Sequence, residues 1–212
     1  MDLEVINQQY LPLPLRASAD AWRLYSARKA DSNFKSFQNR VWERDDYRCR
    51  FCGFQAQLHQ EVVNIDGNFR NNKMDNLATC CVFCAQCFFL ESIGVGGFGG
   101  GILVYCPEIS QNYISSICHV LFCAISNNSA YKSIAQNIYL NLKLRSSVFE
   151  AKFGEGSSEP SVFGHLLIDS KQFGEEKLDQ VLHGVRLLPS RAKFRAQIES
   201  WASSAINNIN QP

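Results

Sequence analysis

Two cysteine pairs are the part of this sequence whose residue types and spacing could do chemistry. Cys49 and Cys52 form the first CxxC, and Cys81 and Cys84 form the second after twenty-eight intervening residues. A CxxC on a tight turn, here with Gly53 directly after the first pair, lets two thiolates face one tetrahedral ion. The gap between the pairs exceeds the roughly 15 to 20 residues of the common zinc-ribbon pattern and leaves room for an inserted hairpin. We therefore predict a structural Zn²⁺ site with these four cysteines as ligands.

Other uses of the cysteines stay open at this point. A CxxC in a reduced protein can also be a redox pair. Cys87 extends the second pair to a CxxCxxC, and Cys106 lies downstream before a proline, so an iron–sulfur cluster is the competing metal centre. Its fourth ligand would lie much farther along the chain than in the ferredoxin run. Cys80 is a further spare thiol, and the odd total of nine cysteines favours reduced, buried thiols over disulfides.

Length and charge indicate a protein with an ordinary apolar core. With 212 residues, 46% of them hydrophobic, we expect one domain spanning residues 1–212. The 21 basic and 20 acidic residues leave a net charge of +1, so bulk charge does not indicate a nucleic-acid partner. The first fifteen residues lack a secretory pattern, and the apolar stretch at residues 117–125 is too short to span a bilayer. We expect a cytoplasmic protein with no direct membrane insertion.

The elements around the cysteines can be predicted from local patterns. Alternating apolar residues predict two short or edge strands near the N-terminus, carrying Leu11, Leu13 and Leu15 and then Trp22, Leu24 and Tyr25. Asp31 is placed to cap a helix that ends near Asp45. A β-branched run at residues 61–65 predicts a strand, and a helix is expected after the second CxxC. Together these elements predict a ββα zinc-binding unit at residues 34–93.

The second half of the chain predicts a mainly helical part at residues 108–206. Ser110 is placed to cap one helix, and a second helix ends at Gly154. The apolar stripe of that second helix is Ile134, Ile138, Leu142, Phe149 and Phe153. The short link between them predicts an antiparallel pair. Further helices are predicted to begin at Pro160, to cover residues 178–183, and to follow a cap at Ser190.

Two remaining features carry weaker functional signals. Residues 94–99 match GxGxxG, but a dinucleotide site needs a strand before the motif and a helix after it, whereas residues 102–105 predict a strand. We interpret residues 94–101 as a glycine loop that either permits close backbone approach or stays mobile. Arg191, Lys193 and Arg195 lie at the start of the last predicted helix, where cations oppose the helix dipole. They form either a solvated basic face or a site for an acidic partner.

Residues 40–84 contain a recognisable arrangement. The run RVWERD at residues 40–45 precedes the first CxxC, a strand follows, and Asn76 lies five residues before the second CxxC. This arrangement resembles the HNH nuclease family, which has a treble-clef-like ββα-metal unit. In that family the strand ends in an Asp-His pair whose histidine is the general base, and a middle asparagine orients it. A His or Asn after the last cysteine helps to hold a magnesium-like ion.

The sequence departs from that family at the positions that do the chemistry. The general-base position falls on Asn64, and the position after the second CxxC is Ala85, so only the middle asparagine, Asn76, remains. A carboxamide cannot take a proton from water near neutral pH, and alanine offers no ligand to a cation. His59 lies five residues upstream, and strand alternation would not place it at the base position. We predict no catalytic residues and no enzyme; a metal-dependent nuclease or a nucleic-acid-binding module is the alternative.

Five long, unusual strings carry a second resemblance. They are WRLYSARK at residues 22–29, CAQCFF at 84–89, the glycine loop at 94–101, CHVLFCAI at 118–125 and LLPSRAKFR at 187–195. Over nearly its whole length the sequence resembles the IcmJ (DotN) family of Dot/Icm type IVB secretion components. The resemblance implies an α+β fold, with a non-catalytic HNH-like zinc unit embedded in a mostly helical single domain.

The same resemblance also implies partners and a location. It implies binding to the C-terminal region of the coupling ATPase DotL on the cytoplasmic side, alongside DotM and the IcmS–IcmW adaptor complex. The protein would be recruited to the inner membrane through this coupling complex and would support effector recruitment. The residues themselves do not indicate which surface meets a partner.

Overall fold

The computed structural model describes residues 10–170 and 175–209, with side chains at 10–170 and 176–204. The described helices are α1 (Ala21–Ala30), α2 (Ser32–Arg44), α3 (Val82–Ala85), α4 (Gln111–Ser126), α5 (Lys132–Phe153), α6 (Pro160–Asp169), α7 (Glu175–Leu182) and α8 (Arg195–Ile209). The described strands are β1 (Gln60–Asn64), β2 (Leu77–Cys81), β3 (Gly101–Tyr105) and β4 (Val185–Pro189). The predicted α+β class is confirmed. The single-domain assignment and the boundaries 34–93 and 108–206 stay predictions.

Strands β1 and β2 form the hairpin that was expected between the cysteine pairs. They pair antiparallel, with Gln60 opposite Cys81 at one end and Asn64 opposite Leu77 at the other. Both strands are buried along almost their whole length. The hairpin therefore has a cysteine at one end and a buried asparagine at the other.

Helix α2 covers this hairpin, and its ends agree with the prediction. The Asp31 side chain accepts a hydrogen bond from the Asn33 amide at 2.9 Å, which caps the first turn. The helix ends at Asp45. Its apolar side packs on both strands, and the buried residues of this contact are Val41, Val62 and Leu77. Local capping chemistry and one apolar face are enough to place this helix.

Both strands predicted near the N-terminus are wrong, namely those built on Leu11, Leu13 and Leu15 and on Trp22, Leu24 and Tyr25. Residues 11–18 have no regular secondary structure because Pro12 and Pro14 lack the N–H groups that a strand ladder needs. Isolated bonds hold the segment instead, such as the one from the Arg16 amide to the Cys87 carbonyl at 2.8 Å. Trp22 and its neighbours belong to α1, because helical spacing and not alternation buries its residues.

One asparagine connects this N-terminal segment to the rest of the protein. Asn112, near the start of α4, donates to the carbonyl oxygens of Leu11 and Phe51, both at 2.7 Å. Its own amide oxygen accepts from the Leu13 amide at 3.1 Å. A single carboxamide thus satisfies backbone groups of two segments that lie far apart in the sequence.

The strand β4 was not predicted from the sequence. It pairs antiparallel with β3, from Gly101 opposite Pro189 to Tyr105 opposite Val185. The side chain of Gln111 completes the sheet, because it donates to the Leu187 carbonyl at 2.9 Å and accepts from the Leu187 amide at 2.7 Å. A five-residue apolar run with no matching strand nearby in the sequence gives too little local signal to be recognised.

The last helix begins later than predicted. Residues 191–194 form a turn, and α8 starts at Arg195. Ser190 contacts this turn, since its hydroxyl accepts weakly from the Lys193 amide at 3.4 Å and its carbonyl accepts from the Phe194 amide at 3.2 Å. Ser190 therefore caps the turn and not the helix itself, because β4 ends only one residue earlier.

The helices α4 and α5 form the predicted neighbouring pair. The Ser110 hydroxyl caps α4 by accepting from the Tyr113 amide at 3.2 Å, and α5 ends at Gly154, which has a φ of +104°. The rings of Phe122 and Tyr139 meet between the two helices at 5.1 Å. None of the described helices combines the length and the apolar character needed to span a lipid bilayer.

The predicted apolar stripe of α5 is partly wrong. Leu142 and Phe149 are buried, but Ile134 is 58% exposed and Ile138 is 41% exposed. Helix α5 carries apolar residues around most of its circumference, so the pattern does not determine which side faces the core. The structure places Ala135, with Leu142 and Phe149, on the buried side.

Candidate metal centre

The first cysteine pair lies on a tight turn. The Cys49 amide donates to the Phe54 carbonyl at 2.8 Å, and the Gly53 amide donates to the Cys49 carbonyl at 3.0 Å. Gly53 has a φ of +78°, and a Cβ atom there would lie 2.6 Å from the Tyr10 hydroxyl oxygen. The positive φ therefore favours glycine at this position, and the turn directs both thiols of the pair into the protein, where Cys49 and Cys52 are buried.

The second pair lies where a strand changes into a helix. Cys81 is the last residue of β2, with φ and ψ of −70° and 158°, and it directly precedes α3. Cys84 is one turn further on, within α3. Both side chains are fully buried. This strand-to-helix junction points both thiols toward the first pair.

The structure brings the four predicted ligands together. Their sulfur atoms all lie within 4.8 Å of one another, and the Cys52 and Cys81 sulfurs are 3.6 Å apart. A tetrahedral zinc ion with Zn–S bonds of about 2.3 Å requires sulfurs roughly 3.8 Å apart. The nine cysteines are free thiols, so no disulfide competes for these atoms. This buried cluster could bind a metal ion, and four thiolates fit the closed, tetrahedral set that zinc prefers in structural sites.

The electrostatics of the cluster show why a cation suits it. In the protein alone, burial raises the pKa values of Cys81 and Cys84 well above the usual range. Burial also opposes ionisation of Cys49, but hydrogen bonds from Cys52 and its other thiol neighbours more than offset this and lower the pKa of Cys49. Neighbouring thiols thus stabilise one thiolate but disfavour a second. A divalent cation would remove that repulsion among four thiolates.

His119 of α4 is part of this centre, although the sequence gave it no role. Its Nε2 atom lies 3.3 Å from the Cys81 sulfur. The ring is held between Phe54, at 3.6 Å between ring centroids, and Phe83, at 4.3 Å. Burial lowers the pKa of His119 to about 3, so the ring is neutral. Because a metal-bound thiolate can only accept, such a thiolate at Cys81 would place the ring proton on Nε2.

Asp45 ties the cysteine turn to the hairpin. Its buried carboxylate accepts from Arg44 at 2.9 Å, from Arg50 at 3.2 Å and from the Thr79 amide at 2.8 Å. Burial opposes ionisation, but the hydrogen bonds from Arg44 and Thr79 outweigh it and hold the pKa of Asp45 below its usual range. Arg50 follows Cys49 in the chain, and Thr79 lies in the middle of β2. This ion network therefore fixes the first turn relative to the strand that carries Cys81.

At the opposite end of the hairpin, Asn64 occupies the predicted general-base position and lies in a polar network. Asn64 is fully buried, and its amide nitrogen donates to the carbonyl oxygens of Asn68 and Asn71. Its amide oxygen accepts from the Arg28 guanidinium. Arg28 also donates to the Val62 carbonyl at 2.6 Å. Asn64 is therefore fixed by neighbours on both sides of its carboxamide and has the geometry of a structural residue.

The other residues that were compared with the nuclease family are Asn76, Ala85 and His59. The Asn76 amide nitrogen donates to Asp66 at 2.9 Å, and its oxygen accepts from the Asp66 amide at 3.1 Å. Ala85 is buried. His59 precedes β1, is exposed, and has its ring 5.9 Å from that of Trp201 in α8. Among the described residues, Asn76 thus serves the loop between the strands, and His59 contacts the last helix.

The residues that the sequence suggested for other cofactors or partners lie in different surroundings. Cys87 contacts the Phe83 carbonyl, and Cys106 accepts from Arg145 of α5 at 3.0 Å, so neither joins the four-sulfur group. The glycine loop leads into β3 and not into a helix, as expected. Gln86 accepts from the Gly100 amide of this loop at 2.9 Å. The exposed Arg195 pairs with Glu199 at 2.7 Å.

These observations define a class of protein: a mixed α+β chain with a buried four-cysteine cluster that could bind a metal ion. No protein-family model matches the sequence. The chain is 58% identical over 203 residues to the type 4 apparatus protein DotN of Legionella pneumophila subsp. pneumophila, strain Philadelphia 1. The match covers 96% of this chain and 95% of that protein. The chain belongs to the DotN family, and the resemblance of its sequence to that family is confirmed.

Proposed function

We propose that this protein is a non-catalytic, zinc-stabilised structural and adaptor subunit of a Dot/Icm type IVB coupling complex. It binds the C-terminal region of the coupling ATPase DotL on the cytoplasmic side. DotM and the IcmS–IcmW adaptor complex are its neighbours there, and the assembly supports effector recruitment. Family membership supports a role in a secretion apparatus, since the relative is a type 4 apparatus protein.

The closed four-thiol cluster is the observation that carries the structural part of this proposal. Cys49, Cys52, Cys81 and Cys84 would hold the zinc ion. With four sulfurs around it, the ion has no open position for water or substrate, and its contribution is to cross-link two segments and add folding free energy. The burial of all four sulfurs supports the same role.

The non-catalytic part rests on the other end of the hairpin. We read residues 34–93 as a degenerate HNH-like unit, because a ββα arrangement surrounds the cysteines. The carboxamide of Asn64 cannot act as a general base, and Arg28 occupies its oxygen. A cation beside this position also disfavours a magnesium-like ion. The residues that remain support a role in shape and not in catalysis.

A binding titration tests the adaptor role. The zinc-loaded full chain should form a stable complex with the C-terminal cytoplasmic region of DotL, measured by calorimetry and by co-elution in size-exclusion chromatography. The nucleotide-binding region of the same ATPase serves as the matched control and should not co-elute. Absence of a complex at micromolar concentrations of both proteins would overturn the proposed function.

A cleavage assay tests the non-catalytic part separately. Plasmid DNA incubated with the protein and magnesium or manganese should stay intact, because no described imidazole stands at the base position. Cleavage that disappears in an Asn76→Ala variant would instead establish the nuclease alternative. A salt-dependent shift of DNA in a gel, without cleavage, would establish a nucleic-acid-binding module.

A further inference from the structure

Helix α5 exposes a row of large apolar side chains along its outer side. We call this row the α5 stripe; its members are Ile134, Ile138, Leu140, Leu144 and Val148. Their exposed fractions range from 41% at Ile138 to 69% at Leu144. At about 100° per residue, these five positions span roughly 160° of the helix circumference. Single exposed apolar residues are common, but five large ones on the outer side of one helix mark an interaction surface.

The stripe is separate from the side of α5 that builds the core. Ala135, Leu142 and Phe149 are buried on the inner side, where α5 packs against β3 and α4. Both sides of the helix are thus apolar, and only one of them has a partner within the described part of the chain. The outer side is therefore available to another molecule.

The spacing of the outer residues suits a second helix. Ile134, Leu144 and Val148 stand at i, i+10 and i+14, and Asn137 and Asn141 fill the i+3 and i+7 positions between them. These are the positions that face a partner helix in a heptad repeat. An asparagine within such a seam fixes the register of the two helices at some cost in stability. The pattern favours packing along a helix over packing against a flat surface.

The charges on α5 determine what kind of helix fits. The helix carries the basic residues Lys132, Lys143, Arg145 and Lys152. Its one acidic residue, Glu150, accepts from the Ser158 hydroxyl at 2.6 Å, and Arg145 pairs with Glu108. Lys143 is exposed beside the stripe, whereas the ammonium of Lys152 lies 4.2 Å from the centre of the Tyr105 ring. Two copies of α5 packed together would place like charges along their flanks, whereas acidic residues on a partner would complement them.

A lipid surface suits the stripe less well than a protein does. Asn137 and Asn141 lie in the middle of the exposed row, and burying a carboxamide in hydrocarbon without a hydrogen-bond partner is costly. A partner helix can supply matching polar groups at those two positions. The five members of the stripe are aliphatic and include no Trp or Tyr, the residues enriched at membrane interfaces.

We propose that the α5 stripe is the docking surface for an amphipathic helix with an apolar heptad seam and acidic flanks. This inference rests on the proposed function, because it takes that helix from the C-terminal region of the coupling ATPase. The apolar seam covers the stripe, the two asparagines set its register, and Lys143 pairs with an acidic flank.

The test compares two exposed apolar pairs on neighbouring helices. Leu144→Gln with Val148→Gln removes two of the three apolar seam positions of the stripe, and Val162→Gln with Leu166→Gln makes the matched change on α6, where these residues are 47% and 49% exposed. The zinc-loaded full chain is titrated with the DotL C-terminal region by calorimetry. The stripe variant should bind at least about thirtyfold more weakly, as loss of central interface residues does. The α6 variant should bind within about twofold of the unmodified protein, and both should melt as it does.

Separate variants test the proposed charge pairing. Lys143→Glu should weaken binding, more at low than at high salt, while Lys73→Glu on the loop before β2 should not. Unchanged binding by the stripe variant, with the unmodified protein binding, would overturn this inference alone. The inference would also be overturned if the stripe variant changed only self-association, measured by sedimentation, or only binding to anionic vesicles. If the unmodified protein does not bind the DotL region, the proposed function fails and this inference fails with it.

Discussion

The two ends of the β1–β2 hairpin are stabilised by opposite means. At one end Cys81 belongs to a buried cluster of thiols that disfavour ionising together, and this cluster could bind a metal ion. At the other end Asn64 and Arg28 satisfy each other and the surrounding carbonyl groups, so this end needs nothing further. One short hairpin thus has a cluster suited to a metal ion at one end and a polar network that satisfies itself at the other.

Removing one sulfur atom at the cysteine end of the hairpin should have the largest effect on stability. Cys81→Ser opens the four-sulfur set, and structural zinc supplies on the order of 10 kcal/mol in isolated zinc-binding peptides, so we expect loss of zinc and of the cooperative thermal transition. Zinc content and melting temperature measure this. Cys123→Ser, which changes a half-buried thiol outside the cluster, is the control and should keep both. A Cys81→Ser protein that melts like the unmodified one would reject the metal site.

Removing the Arg28 side chain at the Asn64 end of the hairpin should destabilise the fold without releasing zinc. Arg28→Met leaves the buried acceptors of Asn64 and Val62 without their donor and removes the bond to Asn72, which should cost about 3 kcal/mol or more. Urea unfolding measures the change, and zinc stoichiometry should stay at one ion per chain. Arg23→Met, at an exposed position of the same helix, is the matched control. Zinc loss in the Arg28 variant would show that the two ends are not independent.

Changing His119 tests how this residue supports metal binding at the cysteine end of the hairpin. His119→Phe keeps the packing between Phe54 and Phe83 but removes the N–H that faces Cys81, and loss of such an outer partner typically weakens metal binding 10- to 100-fold. Competition with a chromogenic chelator gives the affinity. His119→Gln, which can still donate a hydrogen bond, should recover part of it. Equal affinities for the two variants would mean that His119 acts through packing alone. The sulfur-to-metal charge-transfer band of the cobalt-substituted protein should also shift in the Phe variant.

The smallest expected effect is at Asp45, which lies between the two ends. Asp45→Asn removes the charge that Arg44, Arg50 and the Thr79 amide share, and we expect a loss of about 1 to 2 kcal/mol in unfolding free energy. The folded pKa of Asp45 is depressed, so its contribution is fully present above the unfolded value and is lost only as pH falls through the folded value. The difference between the two proteins should therefore stay constant from about pH 8 to about pH 5. A difference that changes across this range would indicate another titrating group.

Features set by neighbouring residues could be predicted from the sequence. The CxxC turns, the Asp31 and Ser110 caps and the end of α5 at Gly154 each depend on a few consecutive residues, and the structure agrees with them. The four cysteines were found for the same reason, since each pair is a local motif and the two motifs share one chemistry. Local signals thus gave most of the helices and the cluster's members.

Features set by distant residues could not be predicted in this way. Strand β4 exists because β3 and Gln111 pair with it, and both lie more than seventy residues away. His119 faces Cys81 only because α4 packs against α3, the short helix that follows Cys81, and the sole signal was a histidine in an otherwise apolar helix face. The exposure of Ile134 was missed because an apolar pattern on both sides of α5 does not say which side is covered.

The contacts of Asn112 bear on how the protein is made. During translation the four cysteines leave the ribosome before Asn112 and His119, the residues of α4 that hold the first turn and cover Cys81. The nascent chain therefore passes through a stage in which its sulfurs can gather while still open to oxidants and to competing metals. A metal ion present during synthesis would therefore reach these sulfurs before α4 covers them.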